Sequence, residues 1–93
     1  MGIEFDDEKR QQTLEHRGLD FADAASLFEG PTFTSLDDRE DYGEERFQTI
    51  GLLGERLVMV VWTPRGEARR IISMRKCNDR EQRKFESRVD RSG

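Results

Sequence analysis

The chain alternates between mostly polar stretches and short apolar runs, and those runs set out the elements. The longest unbroken run, Leu57 to Trp62, has no polar face and predicts a central strand buried on both sides. Before it, Arg46 to Leu52 alternates, with Phe47, Thr49 and Gly51 opposed to Arg46, Gln48 and Ile50. After it, Ala68, Ile72 and Met74 share one parity and Ile71 and Ser73 the other, so this strand too is apolar on both faces. Thr32 to Leu36 reads as a further strand. Leu53-Gly54-Glu55 makes one tight connection and Thr63-Pro64-Arg65-Gly66 a second hairpin turn, with proline at its first corner.

Helical spacing appears in three places. Asp6 or Asp7 caps a first helix that stops at Gly18; Leu14 is its only strong apolar residue, so it lies on the surface with a narrow contact. Asp20 starts a second, in which Phe21, Ala24, Ala25 and Phe28 face the core, and Gly30-Pro31 ends it. Asn78 caps a third with Glu81 three residues on, and Phe85 and Val89 then share a face. The expected spans are helices near 7–17, 20–29 and 78–88 and strands near 32–36, 44–53, 56–62 and 67–75. Gly2 to Phe5 is a short leading segment, an edge strand at most. Residues 1–93 read as one α+β domain whose last few residues fray.

Composition narrows the chemistry. Only 33% of the residues are apolar and 39% are charged, so the core is thin. No apolar run reaches the roughly 20 residues of a membrane span, and Met1 to Lys9 is too acidic for a signal or transit peptide, which makes the cytoplasm the expected address. One cysteine excludes an internal disulfide; with one histidine there is no zinc spacing, and neither metal nor cofactor is expected. The net charge of −4 conceals an asymmetry: residues 1–50 hold 14 acids and 5 bases, residues 51–93 hold 6 acids and 11 bases. Arg69, Arg70, Arg75, Lys76, Arg80, Arg83 and Lys84 fall within one strand and the helix that follows it. That density of cation on ordered backbone suits phosphate.

The runs FDDEK, GLDFADA, DYGEERF, VWTPRGEARRIISMRK and NDREQRKF, in that order, resemble the BrnT toxins of bacterial type II toxin–antitoxin pairs. The resemblance covers Phe5 to Phe85. It implies a RelE-like fold, a mostly antiparallel sheet of about four strands with two N-terminal helices and one C-terminal helix packed on one side. It also implies endonucleolytic cleavage of RNA that stops translation and growth, and a small BrnA-type antitoxin that neutralises the toxin and binds operator DNA through it. Arg46, Arg70 and Arg75 match the family pattern and are the candidate catalytic cations, since a planar fork holds two phosphate oxygens and stays charged. Salt-bridging to the acid-rich first half is the alternative for Arg70.

His16 is the candidate proton carrier by type, against the reading of an exposed residue at a helix C-terminus. Glu44 and Glu45 are alternatives for the base, set against a solvated acidic turn. Lys9, Lys76, Arg80 and Lys84 are candidate substrate-binding cations. Trp62 is either a base-stacking platform or core, and its place on the central strand favours core; Cys77 is a small buried filler, and Phe85, where relatives often carry tyrosine, has no hydroxyl to move a proton. Two other classes stay open on the residues alone: a nucleic-acid-binding module without catalysis, and a protein-interaction domain.

Overall fold

The computed structural model describes residues 2–92, with side chains through Arg88. Val89 and the last residues therefore lie outside what can be said of packing or fraying. The elements are β1 (Ile3–Phe5), α1 (Asp7–Arg17), a 3₁₀ turn at Phe21–Asp23, α2 (Ala24–Glu29), β2 (Thr32–Leu36), β3 (Phe47–Leu53), β4 (Arg56–Arg65), β5 (Ala68–Lys76) and α3 (Asp79–Ser92).

The sheet has five strands in the order β1-β5-β4-β3-β2, with β4 at its centre as the apolar run predicts. It is mixed, against the expected four antiparallel strands. Three leading residues pair parallel with β5, Ile3 opposite Arg69, Glu4 opposite Arg70 and Phe5 opposite Ile71, and Arg69 N donates to Gly2 O at 2.9 Å. Three residues are too few for alternation to show in the sequence, and their partners lie more than sixty positions away.

Both hairpins close through two residues. Gly54-Glu55 and Gly66-Glu67 each start on a glycine in the left-handed region, at φ +65° and +61°, where a β-carbon is disfavoured. The second turn therefore falls after Pro64, not on it. Pro64 stays in β4, opposite Arg69. Arg69 turns its N–H to β1, so the matching edge of Pro64, which lacks an N–H, points past the end of β3, where no ladder bond is lost. β3 likewise begins at Phe47 and not at 44, because the chain before it is drawn into a loop tied by Asp37 N to Arg46 O at 2.7 Å.

The second helix is split. Asp20 caps the 3₁₀ turn through Ala22 N at 2.9 Å, and three-residue periodicity then sets the buried side at Phe21, Ala24 and Leu27. Ala25, expected in the core, is exposed, and Phe28 is half-buried. The first helix buries nothing, Leu14 included, and is fastened by polar contacts. Asp6 caps it through Glu8 N and Lys9 N, the Arg10 fork grips Asp20 at 2.7 and 3.0 Å, and Arg17 donates to Met74 O on the open edge of β5 at 2.7 Å.

Helices cover both faces, not one. Leu19, Phe21, Ala24 and Leu27 pack on Val58, Val60, Ile71 and Met74 on the first face. Phe85 of α3 packs with Ile50, Met59 and Cys77 on the second. Alternation along β4 divides them, Val58 and Val60 going to the first face and Met59 to the second.

Candidate active site

Arg75 lies five positions after Arg70, and in a regular strand that step would send them to opposite faces. The ladder between β4 and β5 slips once: Val61 is opposite Ser73 but Trp62 is opposite Ile71, leaving Ile72 as an extra residue. This β-bulge restores the phase. Arg70 then stands opposite Thr63 and Arg75 opposite Met59, which share the second face, and the Arg75 guanidinium does reach Met59 Sδ at 3.6 Å.

Arg46 joins them. Phe47 turns to Trp62 on the first face, with ring centroids 5.0 Å apart, so the preceding Arg46 points to the second. Its guanidinium lies 4.0 Å over the Tyr42 ring and donates to Glu44 at 3.2 Å. Arg39 completes the row. It grips the buried Asp37 through Nε and Nη2, at 2.7 and 2.9 Å, lies beside Tyr42, and is near enough for its charge to oppose that of Arg75. The Arg39 fork holds the Asp37 carboxyl below the usual carboxylate range, so Asp37 stays charged where it is buried.

The second face thus carries Arg75, Arg39, Arg46 with Tyr42, and Arg70. Arg46 and Arg70 flank Thr63 two strands apart, about 10 Å between backbones, and Arg75 is about 13 Å further along β5. Their carboxylate partners differ in grip: Arg70 meets Glu4 at 3.6 Å, Arg46 has one bond to Glu44, and Arg75 has a two-pronged pair with Glu81 at 2.7 and 2.6 Å. The acid-rich first half does reach Arg70, through Glu4.

The other candidates fall elsewhere. His16 and Lys9 line a groove between α1 and the edge of β5, with Gln12, Thr13, Arg17, Ile72 and Ser73, of which Ser73 shares its side of β5 with Arg70 and Arg75. Lys76 lines a groove at the far end of the sheet with Leu57 and Phe85. Arg80 and Lys84 are on α3, and Lys84 Nζ sits 5.4 Å from the Phe33 ring. Trp62 is core: it packs edge-on to Phe28 at 5.7 Å and donates to Thr49 Oγ1 at 2.8 Å. Burial pushes the Cys77 thiol up to about 11, which leaves it protonated and no nucleophile. Arg39, Tyr42 and Glu81 went unseen as site residues, because the first two sit in a turn that reads as solvated and the third reads only as a cap. Among the described residues, no three His, Cys, Asp or Glu side chains are grouped to hold a metal, and no helix is long and apolar enough to cross a membrane.

A sheet face set with guanidinium groups around a tyrosine ring is equipment for a polyanion with bases attached. Residues 5–81 match the family model described as ribonuclease toxin, BrnT, of type II toxin-antitoxin system, and the chain belongs to that family. It is a ribonuclease toxin, with RNA as its substrate and an antitoxin protein as its partner. None of the curated proteins matches the chain.

Proposed function

We propose a metal-independent endoribonuclease of the cytoplasm in which Arg46, Arg70 and Arg75 bind successive phosphates of one RNA strand. The observation that carries this reading is the bulge at Ile72, which brings Arg70 and Arg75 to one face. Cleavage by 2′-hydroxyl attack gathers negative charge on the phosphorus oxygens, and guanidinium groups already in place stabilise that charge without a metal. Tyr42, under Arg46, offers a ring on which a base can stack. Glu44, beside Arg46, takes the 2′ proton as the bond from phosphorus to the 5′ oxygen breaks, and the departing oxygen takes its proton from water. A BrnA-type antitoxin neutralises the toxin by laying acidic side chains or a helix over this face, and carries the pair to operator DNA.

Single-turnover cleavage of a labelled RNA in EDTA tests the chemistry. Arg46→Ala, Arg70→Ala or Arg75→Ala should each lower the rate by roughly 10²–10³ with the fold intact. Lysine should restore part, because it returns charge without the fork. His16, in the groove at the edge of β5, is the deciding control: a near-neutral His16→Ala leaves an arginine-led mechanism, and a loss of roughly 10²–10⁴ marks it as acid or base. Full activity in a folded Arg70→Ala, Arg75→Ala double variant would move the site elsewhere, and wild type that binds RNA without cleaving it would favour a binding module.

A further inference from the structure

The geometry points to Glu81 as a positioning residue that holds the Arg75 guanidinium in the orientation in which it meets the RNA phosphate. This rests on the reading of Arg75 as a phosphate ligand. The Glu81 carboxylate has two separate tasks. Its Oε1 accepts from Asn78 N at 3.0 Å, while Asn78 Oδ1 accepts from Glu81 N at 2.8 Å, and together these close the N-terminus of α3. The cap needs only that one oxygen. Oε2 accepts from Arg75 at 2.6 Å, and Oε1 takes the other prong of the same fork at 2.7 Å.

Of Arg46, Arg70 and Arg75, only Arg75 is gripped by a carboxylate at both ends of its guanidinium. Met59 Sδ bounds it on the sheet side, so the plane of the group is fixed. A guanidinium has five N–H donors; Glu81 engages two, Lys76 O at 3.4 Å and Met59 Sδ at 3.6 Å hold two more only weakly, and Nε–H is the fifth. The Glu81 side chain is 17% exposed and that of Arg75 40%, so the carboxylate is withdrawn while the cation reaches solvent with donors to spare. A cation held this way loses little freedom when substrate arrives. Because Glu81 is set by the cap, the aim of Arg75 depends on the first turn of α3, an element other than its own strand.

Glu81→Gln separates the two tasks. Glutamine serves the cap as well as glutamate does, but it offers the fork one acceptor and opposes it with an amide N–H. In the full chain, Glu81→Gln should keep the circular dichroism and thermal midpoint close to wild type. The maximal single-turnover rate should fall by about 10- to 100-fold, the scale of a roughly 1 Å misplacement, with less change in the RNA concentration at half-maximal rate. In an Arg75→Ala background the same substitution should add nothing, whereas a purely structural role would carry its loss into that background. Asn78→Ala, which removes the Oδ1 bond to Glu81 N but keeps the backbone N–H that holds Glu81 Oε1, should cleave normally once folded.

Wild-type rates in Glu81→Gln, faster rates, losses that add to those of Arg75→Ala, or a Glu81→Gln chain that does not fold would each overturn the assignment. The first two would mean that Glu81 does nothing for Arg75 or competes with the phosphate, and the last two that it serves only the fold. Wild-type protein without ribonuclease activity, or full activity in Arg75→Ala, would instead strike the reading of the site and the assignment with it.

Discussion

The two faces of the sheet are built from the same strands and hold opposite chemistry. Under α1 and α2 the floor is Val58, Val60, Trp62, Ile71 and Met74, and Arg69 there lies flat on carbon, 4.1 Å from the Phe28 ring and 5.2 Å from Trp62. Beyond the reach of α3 the other face offers Thr63, Gln48, Ser73 and a row of arginines matched to carboxylates. A thin core can afford this because the first face supplies the cohesion. The second can then keep its cations near solvent, where they have a use.

The comparison breaks if damage to the first face disables the chemistry directly. Leu27→Ala should cost about 2–5 kcal/mol, as emptied core sites do, since Leu27 is fully buried against the sheet. Urea melts would measure that cost, and cleavage per folded molecule should not change. A smaller loss is expected from Gly51→Ala. A β-carbon there would stand 2.8 Å from Leu27 Cδ2 and 2.9 Å from Cγ, and overpacking of this kind costs about 1–3 kcal/mol. The penalty should shrink in a Leu27→Ala background, where the obstacle is gone.

Asn78→Ala should cost about 1 kcal/mol through the lost cap, read as a drop in denaturant midpoint without a change of slope. The smallest effect is acid sensitivity at the junction of α1 with the first face. Hydrogen bonding from Arg10 lowers the Asp20 carboxyl to about 2, below its value near 3.9 in an unfolded chain. The folded state therefore binds the proton less readily, and the stabilisation is complete above about pH 4 and is lost as the pH falls toward about 2. Melting temperatures of wild type against Asp20→Asn should converge across that window and stay parallel above it. Solvent screening of the Arg10 side chain keeps the effect modest.

What the sequence reveals of this molecule is what neighbouring residues decide among themselves. The run Leu57 to Trp62, the turn at Gly54-Glu55 and the box formed by Asn78 and Glu81 are all local, and each stands where its pattern puts it. The parallel pairing of β1, the place of Pro64 inside β4 and the seat of α3 on the second face depend on partners far along the chain. Leu27 escapes a helical count because the turn before α2 advances by three residues. In the site, the resemblance to the BrnT family is what singles out Arg46, Arg70 and Arg75, since residue type does not separate them from Arg69, Arg80 or Arg83. Tyr42 and Arg39 need the fold, because nothing local distinguishes a solvated acidic loop from one whose Asp37 is buried beneath a guanidinium.

The extra residue in β5 also bears on how this chain can vary in length. Replacing Ile72 by another apolar residue alters packing and little else. Removing it would straighten the strand and leave Arg70 and Arg75 four positions apart, still on one face and with Met74 still in the core. Insertions are harmless in a loop because the chain can bulge outward and resume. Here one residue already does so inside a strand, and it is the residue between Arg70 and Arg75 that can be lost without exchanging a partner on β4.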